Sequence, residues 1–125
     1  MYSNDQLNSI FDRTDGQCHI CRDKLKWKNY GIIGELGSWE VDHSNPKANG
    51  GTDRMNNLYA ACIPCNRSKG SKSTRSQRRK YGYTAAPESR DSRVQRWTTY
   101  MVVGFFSLLI IGHISNANKA NQKAR

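Results

Sequence analysis

Two stretches decide the fold: Ser38-Trp39-Glu40-Val41-Asp42-His43 and, beginning fourteen positions after His43, Asn57-Leu58-Tyr59-Ala60-Ala61, which runs into Cys62-Ile63-Pro64-Cys65-Asn66-Arg67-Ser68-Lys69. The first alternates: Trp39 and Val41 fall on one side of an extended chain, Glu40 and Asp42 on the other. The second is a short apolar strand that leads into a Cys-x-x-Cys turn. Between them, Ser44 to Asp53 carries Pro46, Gly50 and Gly51, so it cannot be a continuous element and reads as a loop. Asn66 to Lys69 begins a helix, with Gly70 placed to end it. The reading is strand, loop, strand, helix, an α+β pattern.

Upstream, Leu7, Ile10 and Phe11 share one helical face within Asp5 to Asp15, and Asp15-Gly16 turns the chain. Cys18-His19-Ile20-Cys21 then forms a tight knuckle, and Lys24 to Gly37 reads as a loop or ragged hairpin. The pairs Cys18/Cys21 and Cys62/Cys65 are separated by 40 residues. Two knuckles supply the four thiolates of a tetrahedral zinc site, and four thiolates leave no open coordination position, so that zinc is structural. Disulfides, a redox pair or buried thiols are the alternatives. Met1-Tyr2-Ser3-Asn4-Asp5 has neither the basic nor the apolar region of a secretory signal, which favours a reducing compartment. His19 reads as an exposed bystander, because the four cysteines already close the site.

The string D-H-x-x-P-x-x-x-G-G, then N-L, then C-x-x-C-N-x-x-K is Asp42, His43, Pro46, Gly50, Gly51, Asn57, Leu58, Cys62, Cys65, Asn66 and Lys69. It resembles the HNH endonuclease family in its four-cysteine zinc-binding form, over about residues 5–70. The resemblance implies a ββα-metal fold, two antiparallel strands and a helix around one divalent ion. It also implies roles: His43 as general base, Asp42 and Asn66 as oxygen ligands of a catalytic ion, Asn57 as the tie that aims the loop. Products would carry 5′-phosphate and 3′-hydroxyl ends. The chemistry agrees, since phosphodiester hydrolysis needs a base for water and a cation at the phosphate. Many family members carry His where this chain has Asn66. A neutral amide oxygen is a poor zinc ligand beside imidazole, so Mg²⁺ or Mn²⁺ is expected.

The chain has 125 residues, 36% of them hydrophobic, and a net charge of +10. That allows one small domain plus a tail and argues against a polytopic membrane protein. The charge is uneven: −1 over residues 1–66, +8 over 67–96 and +3 over 97–125. The basic segment, together with Arg67, Lys69, Lys72 and Arg75, is expected to contact phosphates, with DNA as the partner and RNA open to the same chemistry. Tyr81 and Tyr83 interleave with the charges and suit stacking on exposed bases. A solvated linker is the plainer alternative.

Trp97 to Ile114 is an 18-residue run without Asp, Glu, Lys or Arg. As a helix it spans ~27 Å, against ~30 Å for a bilayer core. Trp97 and Tyr100 stand at one end, and Lys and Arg are denser on the N-terminal side, which expects the head at the cytoplasmic face of a membrane. The alternative is a helix that covers the head or pairs copies into a homodimer, in a soluble cytoplasmic protein. The expected organisation is a nuclease domain over 1–70, a basic arm over 71–96, an apolar membrane anchor over 97–114 and a polar tail over 115–125. The expected function is metal-dependent DNA cleavage; the alternative is a non-catalytic zinc module for nucleic acid or a protein partner.

Overall fold

In the computed structural model the backbone is described for residues 1–123 and the side chains for residues 1–107. The chain forms two compact units, Met1–Arg90 and Asp91–Arg125. The first opens with helix α1 (Asn4–Asp12). Its start is set by a capping box: Ser3 Oγ accepts from the Gln6 N–H at 3.2 Å, and Gln6 Oε1 accepts from the Ser3 N–H at 2.9 Å. Each bond satisfies a donor that the first turn leaves without a helical partner. Leu7 and Ile10 are the buried face. The helix stops at Asp12, short of Asp15, and Asp15 and Gly16 then adopt φ values of 52° and 65°.

Strands β1 (Trp39–His43) and β2 (Leu58–Cys62) form a two-stranded antiparallel sheet in which Trp39 faces Cys62 and His43 faces Leu58. Asn57 ends a 3₁₀ turn, Met55–Asn57, just before β2 instead of starting the strand. Helix α2 (Ile63–Lys69) follows β2 without a loop, with Pro64 in its first turn, where a missing N–H costs nothing. Gly70 ends it at φ 51°. Helix α1 packs on β2, and α2 packs on both strands.

Trp39 is fully buried and collects Phe11, Tyr30 and Trp27, with ring centroids 5.0, 4.8 and 5.9 Å away. Deleting such a ring from a core costs about 3–5 kcal/mol. Leu7, Ile10, Ile20, Leu58 and Ala60 complete the core together with Cys18 and Cys65. Lys24 to Gly37 contains a 3₁₀ turn, Trp27–Asn29, and single bridges from Gln17 to Lys24 and from Tyr30 to Trp39, not a hairpin of its own.

The segment 71–96, expected as a basic arm, holds helix α3 (Thr74–Lys80) and the start of helix α4 (Arg90–Lys123). Thr74 and Gln77 of α3 are buried. The Thr74 hydroxyl donates to the Ser44 carbonyl at 2.7 Å, which fastens α3 to the loop after β1. Along α4, Val94, Trp97, Tyr100, Met101, Val102, Val103, Phe105 and Phe106 are exposed. Among the described residues, no helix is long and apolar enough to cross a membrane. Side chains 108–114 of the expected span lie outside the described ones.

Candidate active site

The four cysteines meet. They are free thiols whose Sγ atoms all lie within 4.8 Å of one another, Cys21 and Cys62 at 3.8 Å. A tetrahedron of thiolates with Zn–S of about 2.3 Å has edges of about 3.8 Å, so the donor set fits zinc. The Cys18 thiol is pushed far below its usual range because Cys62 and Cys65 hydrogen-bond to it. Cys62 is pushed far up, chiefly by the same bond to Cys18, and burial raises Cys21. Four thiolates at this spacing repel one another, and a dication relieves that repulsion. The backbone supports the cluster: the His19 N–H donates to Ala60 O at 2.9 Å and the Arg22 N–H to Cys18 O at 3.0 Å, which pins the first knuckle beside β2.

The loop from Ser44 to Asn57 is closed by one side chain. Asn57 Oδ1 accepts from the Asn45 N–H at 2.7 Å, and its Nδ2 donates to Asn45 O at 3.1 Å and Thr52 O at 2.9 Å. The two adjacent glycines serve different ends. Gly50 has φ 80°, which glycine adopts without steric cost. Gly51 is bare because a Cβ would lie 1.8 Å from Asn45 O. His43 stands at the root of this loop, its Nε2 2.7 Å from Asp53 Oδ1. Lys47 donates to the other Asp53 oxygen at 2.9 Å. The Lys47 bond, then the His43 bond, hold the Asp53 carboxyl below its ordinary range.

Asp42, His43, Pro46, Asn66 and Lys69 line one cavity of about 260 Å³. Asp42 is buried. Its Oδ1 accepts from Lys69 Nζ at 2.9 Å and its Oδ2 lies 2.8 Å from His19 Nε2. Lys69 Nζ also donates to His43 O at 2.8 Å. Asn66 Nδ2 donates to Glu40 Oε2 at 2.9 Å, which leaves the amide oxygen as its unused end among the described residues. The donor set is therefore one carboxylate and one amide oxygen, and a cationic ammonium already sits against that carboxylate. Oxygen donors of these two kinds are the ones a hard divalent ion takes, and at Oδ1 such an ion would share the carboxylate with the Lys69 ammonium.

Asp42, His43 and Asn66 thus border one cavity, the four cysteines form their own cluster, and Asn57 ties the loop instead of lining that cavity. Of the expected phosphate contacts, Arg67, Lys72 and Arg75 are exposed, Arg67 alongside Glu40 at 3.3 Å. Lys69 differs: it is 1% exposed, and its ammonium is bonded inside the cavity. A second groove of about 480 Å³, between Asn45, Asn49 and Asn57 on one side and Thr74, Arg75 and Arg78 on the other, adjoins the first at Pro46. The tyrosines are engaged within the fold. Tyr83 lies under the Arg22 guanidinium at 4.3 Å, and the Tyr81 hydroxyl, pushed up to about 12 first by its hydrogen bond with Cys65, sits 3.7 Å from that sulfur.

His19 is the clearest correction. It is completely buried and bonded at both ring nitrogens, not an exposed bystander. Sequence reasoning also passed over Asp53, Glu40 and Arg78. Asp53 sits two residues past the glycine pair and Glu40 two residues before Asp42, close enough in the chain to have been suspected. Arg78 carries no local signal, because only folding brings α3 to the knuckle.

No curated protein and no solved structure matches the chain. Residues 18–72 match the family model described as HNH endonuclease. That stretch runs from the first knuckle cysteine through β1, the Asn57-tied loop, β2 and α2, and it contains every side chain of the cavity and of the cysteine cluster. Residues 18–72 of this chain are thus similar to the HNH endonuclease family, and the four clustered cysteines fit its zinc-binding type.

Proposed function

We propose that the protein is a metal-dependent endonuclease that hydrolyses DNA phosphodiester bonds. One observation carries the reading: His43, Asp42 and Asn66 border a single cavity, and among the described residues His43 keeps Nδ1 without a partner. A carboxylate can only accept, so the contact with Asp53 puts the imidazole proton on Nε2. Nδ1 then has a lone pair facing no protein donor, which is what a base for water requires. Asn57 holds the loop at both ends and so keeps His43 aimed. Asp42 and Asn66 would hold Mg²⁺ or Mn²⁺. When bound, such an ion supplies positive charge at the scissile phosphate and the leaving oxygen. Arg67, Lys72 and Arg75 support contact with neighbouring phosphates.

The test is plasmid cleavage by the zinc-loaded full chain with Mg²⁺ or Mn²⁺ supplied or withheld. Cleavage that needs the added ion and disappears in His43→Ala, with one zinc per chain retained, is the expected result. Undiminished cleavage by His43→Ala would overturn the assignment. Salt-sensitive DNA binding without nicking under either ion would favour the non-catalytic module, a reading to which the ammonium on Asp42 lends itself. The uncharged run 97–114 supports a tether at the cytoplasmic face of a membrane. Retention after alkaline carbonate extraction is expected, and release into the soluble fraction would replace the tether with a helix that pairs copies.

A further inference from the structure

Behind the cavity lies a buried chain of side chains that the cleavage reading does not use. Arg78, on α3, grips His19 at two atoms: Nε donates to the His19 carbonyl at 2.8 Å and Nη2 meets His19 Nδ1 at 2.7 Å. A guanidinium only donates. His19 Nδ1 must therefore be the acceptor, and the ring proton is on Nε2. That N–H points at Asp42 Oδ2, 2.8 Å away. The His19 ring lies flat on Tyr59, centroids 5.1 Å apart at 22°, and the Arg78 guanidinium lies 5.6 Å from the centre of the same Tyr59 ring. His19 has no exposed surface and Asp42 is 4% exposed, so the contact is held dry.

We propose that His19 and Arg78 are positioning residues for the cation site. The proposal rests on the reading of Asp42 as the ion's carboxylate. Arg78 selects the His19 tautomer, His19 anchors Oδ2 of Asp42 from behind, and Oδ1 is thereby kept on the side of Lys69 and the cavity. Held by His19 at Oδ2 and by Lys69 at Oδ1, the carboxylate has no rotational freedom, and side chains that orient metal ligands in this way are typically worth about 10–100-fold in metal affinity. The last turn of α3 thus serves the Asp42 carboxylate through Arg78, besides any contact with nucleic acid.

The experiment measures Mn²⁺ binding to the zinc-loaded full chain, by the paramagnetic resonance of free Mn²⁺, in wild type and four variants. Asp42→Asn should abolish binding and so verifies the site. His19→Phe keeps a ring on Tyr59 but has no donor, and should weaken Mn²⁺ binding about 10–100-fold with zinc content unchanged. His19→Gln places an amide N–H near the former Nε2 and should recover most of that loss, which a merely space-filling role would not produce. Arg78→Gln lies outside the knuckle, carries the test if the knuckle variants fold poorly, and should also weaken binding. Nitrogen shifts of the His19 ring in the wild type should report a bare Nδ1 and a protonated Nε2. A protonated Nδ1, or Mn²⁺ binding in His19→Phe and Arg78→Gln equal to wild type, overturns the proposal while the cleavage reading stands. A wild type that takes up no Mn²⁺ overturns both.

Discussion

Two histidines in this domain have nearly the same first contact and opposite fates. His43, on the rim, places Nε2 2.7 Å from Asp53; His19, in the interior, places Nε2 2.8 Å from Asp42. The difference is at the other nitrogen. His19 Nδ1 is held by Arg78 at 2.7 Å, whereas His43 Nδ1 has no partner among the described residues, and the His43 side chain keeps 18% of its surface open. A carboxylate on one nitrogen orients an imidazole in either place. Only a free second nitrogen next to solvent makes it a base, and a donor on that nitrogen makes it a strut.

The largest effect should come from removing the zinc. The knuckle that carries His19 is built on the cysteine cluster, and small domains of this kind lose their fold with their metal. Chelation should abolish the near-ultraviolet signal of the Trp39 cluster; a folded, zinc-free domain would contradict the structural assignment. Next, His43→Ala should lower cleavage about 10²–10⁴-fold, the range for loss of a general base, without loss of zinc or thermal stability. An equal stability loss in His43→Ala and His19→Ala would erase the distinction between base and strut.

Lys69→Met comes third. It leaves the buried Asp42 carboxylate with His19 alone, and breaking a buried pair on one side costs about 3–5 kcal/mol, here at the lower end because one donor remains. Urea unfolding measures it, and an unchanged midpoint would mean the pair is not held in solution. Asp53→Asn should lower kcat by about tenfold or less, because the amide oxygen still accepts from Nε2 while the charge is gone. A change in KM alone would move Asp53 from orientation to substrate contact.

The smallest effect is acid sensitivity at Asp53. Its carboxyl titrates below the ordinary value because Lys47 and then His43 bond to the ionised form. The contribution is therefore complete above the ordinary range near ~3.9 and fades as pH falls through the lower folded value. The carboxyl carbon shift followed by NMR should show that low midpoint, and a midpoint at or above the ordinary value would break the Lys47–Asp53–His43 bridge.

Much of this was legible in the chain. The alternation Trp39-Glu40-Val41-Asp42, the Pro46 and Gly50-Gly51 loop, and the Cys62-x-x-Cys65 turn into a helix each depend on neighbours a few residues apart, and the strands appear within a residue of their expected bounds, while the helix starts at Ile63, three residues before the expected Asn66. Asn57 was legible for the same reason, since its bonds run to Asn45 and Thr52 in its own loop. The cysteine cluster was legible despite its long separation because thiolate chemistry and spacing speak without geometry. The partners of Asp42 were not: Lys69 is 27 residues away, His19 is 23 residues away, and Arg78 is a further 59 from His19.

The linear chain carried the two knuckles, the strand–loop–strand–helix order and the expectation that His43, Asp42, Asn57 and Asn66 act together, because local periodicity, turn chemistry and ligand type act over short spans. Tertiary structure alone decided which histidine is free and which is fixed. That choice depends on where a donor from α3 and a carboxylate from β1 end up once the knuckle packs beside the sheet, and a buried hydrogen bond between segments remote in sequence leaves no periodic trace in either.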